Sequence, residues 1–159
     1  MDTARLLNWG ARTGPLSRFL SRLHARSYRR LGGRGLNRWA GGMPVLVLET
    51  VGRRSGRPRA TPVIYWEDGD DLVVVAANAG AERTPAWFLN LMAAGQAVAV
   101  IRGERRPVTA HVASGDERAR LWPRLASRYG GLERYADFTE REFPVVVLRR
   151  MGGAGFEPA

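Results

Sequence analysis

The stretch Val45-Leu46-Val47-Leu48-Glu49-Thr50, the loop Val51-Gly52-Arg53-Arg54-Ser55-Gly56-Arg57-Pro58-Arg59-Ala60 and the stretch Thr61-Pro62-Val63-Ile64-Tyr65-Trp66 decide the fold of this chain. The outer runs have strand length and are rich in β-branched and aromatic residues, and glycine and proline punctuate the loop between them. The same texture recurs at 72–77, 97–102, 107–112 and 145–149. Six such runs predict a mainly antiparallel sheet or barrel with a few helices, an α+β class. Glu67-Asp68-Gly69-Asp70-Asp71 and Arg102-Gly103-Glu104-Arg105-Arg106 have the length and composition of hairpin turns.

Helical signals interrupt the strands. Thr84 before Pro85 reads as an N-cap with proline at the first helical position. Trp87/Leu91 and Phe88/Met92 are i, i+4 pairs, and Gly95 stops the helix. Ser114 and Glu117 have capping-box spacing and open a helix containing Trp122. Pro123 is expected to kink or end that helix, leaving a second short piece through Tyr129. Near the N-terminus, Leu16, Phe19, Leu20 and Leu23 follow i, i+3, i+4, i+7 spacing, and Tyr28 and Leu31 continue the stripe. Arg18, Arg22, Arg26 and Arg29 lie on other faces, so the segment reads as a basic amphipathic helix. The chain thus divides into a basic helix and glycine-rich linker at 1–42, a barrel domain at 43–150 and a tail at 151–159.

The 159 residues carry a net charge of +10, and all 25 basic residues are arginine. Without lysine or cysteine the chain has no Schiff-base amine, phosphate-loop lysine, thiol nucleophile or disulfide. Its two histidines, His24 and His111, are too few for a His/Cys metal cluster, so no metal is expected. Apolar residues make up 45% and no apolar run is long enough to cross a bilayer, which predicts a single cytoplasmic domain. The charge is uneven. Residues 1–42 hold nine arginines against the one acid Asp2, whereas 43–159 hold sixteen against fourteen acids.

Arg53, Arg54, Arg57 and Arg59 crowd the loop between the first two strands, with Ser55, Gly52 and Gly56 beside them. Glycine lets backbone N–H groups approach an anion, and guanidinium groups favour bidentate contacts with phosphate and carboxylate. On charge alone the loop reads equally as a solvated hairpin loop in an arginine-rich protein. It is neither a lysine-containing phosphate loop nor a dinucleotide fingerprint. Small residues fill Ala76-Ala77-Asn78-Ala79-Gly80-Ala81-Glu82-Arg83, either a simple strand-to-helix connection or a place where a flat ligand lies against backbone.

These two motifs in order, followed by Trp122-Pro123, Tyr129, Tyr135 and Phe143-Pro144-Val145-Val146-Val147, closely resemble the deazaflavin-dependent nitroreductase family over roughly residues 16–150. The resemblance implies a split β-barrel of the flavin-reductase-like type that binds coenzyme F420, an 8-hydroxy-5-deazaflavin with a phosphate and an oligoglutamate tail. It assigns Arg53, Arg54, Arg57 and Arg59 to the phosphate and tail, with Ser55 and Gly56 shaping the approach. It assigns Ala76, Ala77, Asn78, Ala79 and Gly80 to the deazaflavin ring, with Trp87 and Asn90 supporting it. Tyr129 and Tyr135 match tyrosines of the acceptor pocket and are the candidate proton donors or substrate wall. Ile64, Ala77 and Leu132 stand where nitroreductive members carry hydroxyl side chains, and Asn78 replaces a lysine. A more apolar pocket suits a quinone-like acceptor better than a nitro compound.

The function implied is hydride transfer from reduced F420 to a small hydrophobic acceptor, a quinone or nitro compound, which needs no lysine, thiol or metal from the protein. A non-catalytic F420 carrier is the alternative. A nucleic-acid-binding module is the weakest reading, because the domain proper is nearly neutral and lacks a recognition motif. Residues 1–32 would contact an anionic membrane on its inner face, or pack on the barrel or across a homodimer; a monomer is equally compatible.

Overall fold

The computed structural model describes residues 42–152, apart from residues 136 and 138. The expected N-terminal helix, its glycine-rich linker up to residue 41 and the tail beyond residue 152 lie outside the described residues.

All six expected strands form. They are β1 (Val45–Val51), β2 (Pro58–Asp68), β3 (Asp71–Val75), β4 (Gln96–Ile101), β5 (Glu104–Val112) and β6 (Val145–Arg150). They close into an antiparallel barrel in the order β1-β2-β3-β6-β5-β4. β2 is longer than its apolar run because it pairs with a neighbour at each end: Val51 faces Pro58 across β1, and Asp68 faces Asp71 across β3. The β2–β3 and β4–β5 hairpins each turn through two residues. In the second, Arg102 and Gly103 both have positive φ, 49° and 87°, as a type I′ turn demands.

Alternation sorts the strands' side chains onto two faces. Leu46, Leu48, Leu72, Val74, Val146 and Leu148 fill the interior with Trp87 and Leu91. Val73, Val145 and Val147 face the other way, onto Leu121, Leu125, Leu132 and Phe143. A smaller outer cluster joins Val47, Val98 and Val100 on β1 and β4.

The helices depart from expectation in detail. α1 (Ala86–Ala94) takes Pro85, not Thr84, as its N-cap, with extended backbone and no side-chain cap bond. Pro85 has no N–H to satisfy and its fixed φ of −62° suits that junction, so the start moves one residue inward. Gly95 ends α1 with φ 69°, as read. α2 (Gly115–Arg128) runs unbroken through Pro123. Leu121 on one side of the proline and Leu125 and Ala126 on the other are all buried, so packing holds the helix across it. Pro123 and Ala119, whose carbonyl the proline leaves unpaired, both lie on the exposed side. The short helix that follows is α3 (Leu132–Tyr135), after Gly130-Gly131. Ser114 occupies the N-cap of α2 without a side-chain bond, and Glu117, the other arm of the expected capping box, pairs with His111 at 2.9 Å. Among the described residues no helix is long and apolar enough to cross a membrane, and no His/Asp/Glu group could hold a metal ion.

Candidate functional site

The basic loop is a tight turn built from its own polar groups. Gly52 O accepts from the N–H groups of Ser55 and Gly56 at 3.1 and 2.8 Å, and Gly52 N–H donates to Arg57 O at 2.9 Å. A Cβ on Gly52 would lie 2.7 Å from Ser55 Oγ and 3.2 Å from Arg57 O, so a larger residue would displace the serine side chain from its contacts. Ser55 Oγ accepts from Arg57 N–H and from Arg59 Nη2, each at 3.3 Å.

One long-range tether fixes the turn. The buried Asn90 of α1 accepts, on Oδ1, the backbone N–H of Arg53 at 3.2 Å and its Nη1 at 3.3 Å. Arg53, Arg54, Arg57 and Arg59 are all exposed, and no carboxylate among the described residues pairs with any of them. Elsewhere several arginines are compensated: Arg105 by Glu49, Arg106 by Glu104, Arg118 by Glu142, Arg120 and Arg124 by Asp68, and Arg149 by Asp71. Three arginines of the loop and Arg59 at the start of β2 thus have no acid partner among the described residues, and an anion there gains charge-assisted hydrogen bonds without displacing one of these acids.

The small-residue segment is a second, differently made structure. Asn78 and Ala79 have φ of 51° and 52° and Gly80 of 77°, a run of left-handed residues after β3. Asn78 Nδ2 donates to Arg83 O at 2.7 Å, Gly80 N–H to Ala77 O at 3.1 Å and Ala81 N–H to Asn78 O at 3.0 Å. Ala76 belongs to the barrel interior with Trp87, whereas Ala77 belongs to the outer cluster with Phe143, Tyr129 and Tyr135. A Cβ on Gly80 would sit 3.2 to 3.3 Å from Tyr135 atoms, so the turn and Tyr135 are in direct contact.

The two tyrosines meet edge to face at 6.2 Å, and Tyr135 meets Phe143 at 6.4 Å. Burial, with smaller contributions from Tyr135, pushes the Tyr129 hydroxyl well above its ordinary pKa, so it holds its proton throughout the neutral range. The structure therefore brings Ala77, Gly80, Tyr129 and Tyr135 together, and separately brings Asn90 to Arg53. It places Trp87 in the barrel core, edge-on to Phe88 at 6.1 Å.

Arg141 escaped the sequence reading. Its Nη1 donates to Ala76 O at 3.0 Å, its Nη2 to Ala77 O at 2.7 Å and Ala81 O at 3.1 Å, and its Nε to Ala81 O at 3.3 Å. The guanidinium also lies 5.0 Å over the Phe143 ring. Burial lowers its pKa from the ordinary value, yet an arginine stays charged at neutral pH. In the sequence it was one arginine among 25, with no period or spacing to mark it. A surface cavity of about 300 Å³ lined by Trp66, Glu67, Asp68, Arg124, Ser127 and Arg128 includes none of the candidate residues.

Residues 20–150 match the model of the F420H(2)-dependent quinone reductase family. A Mycobacterium tuberculosis protein named F420H(2)-dependent quinone reductase is 37% identical over 137 residues, covering 82% of this chain and 90% of its own. A second M. tuberculosis protein, given that activity only provisionally in its name, is 41% identical over 107 residues, 67% of this chain and 90% of its own. A solved structure described as an F420-H2 dependent reductase superposes with a TM-score of 0.61 at 26% identity, covering 67% of this chain and 94% of that one.

Proposed function

Because the chain belongs to the F420H(2)-dependent quinone reductase family, we propose that it is a deazaflavin-dependent oxidoreductase that passes a hydride from reduced coenzyme F420 to a quinone. The observation that carries the reading is the exposed, uncompensated arginine loop pinned by Asn90, whose donor set suits a phosphate and a chain of carboxylates. When bound, reduced F420 supplies the hydride; a proton completes the hydroquinone, so the quinone gains two electrons and two hydrogens in all.

The protein's task is positioning. Arg53, Arg54, Arg57 and Arg59 hold the anionic end, with Ser55 and Gly56 shaping the turn. Ala76, Ala77, Asn78, Ala79 and Gly80 form the bed for the ring, with Trp87 of the barrel core behind it, while Asn90, expected to support the ring, holds the arginine loop instead. Tyr135 lies against that bed, and Tyr129, neutral and packed on Tyr135, backs it. Tyr135 is the candidate proton donor to the acceptor. Residues 1–32 are proposed to meet an anionic membrane surface from the cytoplasmic side, where a lipid-soluble quinone would be reached.

Titrating the full-length protein with oxidised F420 and following cofactor fluorescence tests binding; adding menadione to the reduced complex tests turnover. Saturable binding with menadione-dependent oxidation is expected. Binding without oxidation by menadione or a nitroaromatic would favour a carrier, and no binding would reject both. Flotation with anionic vesicles, with and without residues 1–32, tests the membrane contact: an unchanged result on truncation rejects it.

A further inference from the structure

Three backbone carbonyls, from Ala76, Ala77 and Ala81, converge on the one guanidinium of Arg141. Such convergence sets like dipoles against one another unless a cation lies between them. The left-handed residues Asn78 and Ala79 add backbone strain that the surroundings must hold in place. Arg141 is itself braced, because its backbone N–H donates to Thr139 Oγ1 at 3.1 Å and its side chain rests on Phe143. The planar fork uses Nε, Nη1 and Nη2 on this one turn, a pattern that an ammonium group cannot copy.

We propose that Arg141 is a positioning residue for the cofactor ring: by drawing the carbonyls of Ala76, Ala77 and Ala81 to one point, it fixes the Asn78–Gly80 turn against Tyr135 and so shapes the surface on which the ring lies. The inference rests on the deazaflavin reading and assigns to the ring a determinant that lies more than sixty residues away in sequence. It separates two energies. The arginine loop acts on the tail, whereas Arg141 acts on the ring, so the two should respond differently when the tail is removed.

The test compares wild type, R141K and R141A for equilibrium binding of oxidised F420 and of its tail-less analogue, read by fluorescence. Both Arg141 variants are expected to weaken the two ligands by the same factor, on the order of tenfold or more. Millimolar guanidinium should restore part of the R141A loss, and methylammonium should not. Hydrogen exchange of the amides at 77–83 should quicken in R141K without ligand. Should R141A fail to fold, R141K carries the comparison, since it keeps the charge and loses the fork. A folded R141K that binds both ligands as tightly as wild type would overturn the proposal, as would a loss confined to the tailed form. If wild type binds neither ligand, the deazaflavin reading itself falls, and the role of Arg141 falls with it.

Discussion

The loop at residues 52–57 and the turn at residues 76–81 both depend on glycine at positive φ, yet they are held in opposite ways. The loop is exposed, its internal bonds are local, and among the described residues Asn90 is the one side chain distant in sequence that hydrogen-bonds to it. The turn is packed between two apolar clusters and laced from behind by Arg141. A polyanionic tail can be bound by charge in many poses, so an adaptable ring of guanidinium groups suffices. A flat ring that must present one carbon to an acceptor needs a surface that does not yield, because hydride transfer is sensitive to displacements of about 1 Å. Under the proposed function, affinity and geometry fall to separate pieces of chain.

Removing the loop's charge should break this division most visibly. Replacing Arg53, Arg54 and Arg59 together by alanine is expected to weaken tailed F420 on the order of a hundredfold or more. The tail-less analogue and the melting temperature should hardly change. Equal losses for both ligands would mean that the loop also shapes the ring's bed.

Gly80→Ala tests the other region. The new Cβ must adopt φ 77° and meet Tyr135 at 3.2 Å, so chemical denaturation should show a loss of about 2–3 kcal/mol. A neutral substitution would show that the turn is less constrained than its contacts imply.

Asn90→Ala cuts the loop's one tether while leaving the arginines. A loss of about 1–2 kcal/mol in stability is expected, with tailed F420 weakened more than the tail-less form. Calorimetry with both ligands would check it.

The smallest effect belongs to a region outside the comparison. The Arg120 guanidinium hydrogen-bonds Asp68 and holds its carboxyl below the usual carboxylate range. A depressed folded-state pKa contributes stability above the unfolded value, and that contribution is lost as pH falls through the folded one. Asp68→Asn should therefore cost less than about 1 kcal/mol at neutral pH. The gap to wild type should close as pH drops below about 4. A gap that persists at acid pH would argue that Asp68 acts by packing.

What could be read in the sequence was what neighbours dictate. β-rich runs and turn residues placed all six strands, and the crowding of Arg53 to Arg59 marked a basic loop before any fold was known. Helix ends were harder, because Pro85 and Thr84 compete for one junction and the fixed φ of the proline settles it. Pro123 misled for a related reason: the cost of a proline is local, but the packing of Leu121 and Leu125 that overrides it comes from the barrel. Arg141 was invisible because its partners are brought to it only by barrel closure, across sequence separations of 60 to 65 residues. The resemblance to a known family supplied the ring and tail assignments that no spacing in this chain contains.

Barrel closure also dictates an order of events during synthesis. β6, the last strand among the described residues, sits between β3 and β5, and Arg141 and Phe143 lie on the approach to it. Until that final stretch emerges, β3 and β5 each have an open edge, a ready template for wrong pairing. The carbonyls of Ala76, Ala77 and Ala81 likewise await their guanidinium. The strand that seals the barrel arrives with the arginine that ties these carbonyls together, so a chain stalled short of it would hold neither a closed barrel nor the turn's tether.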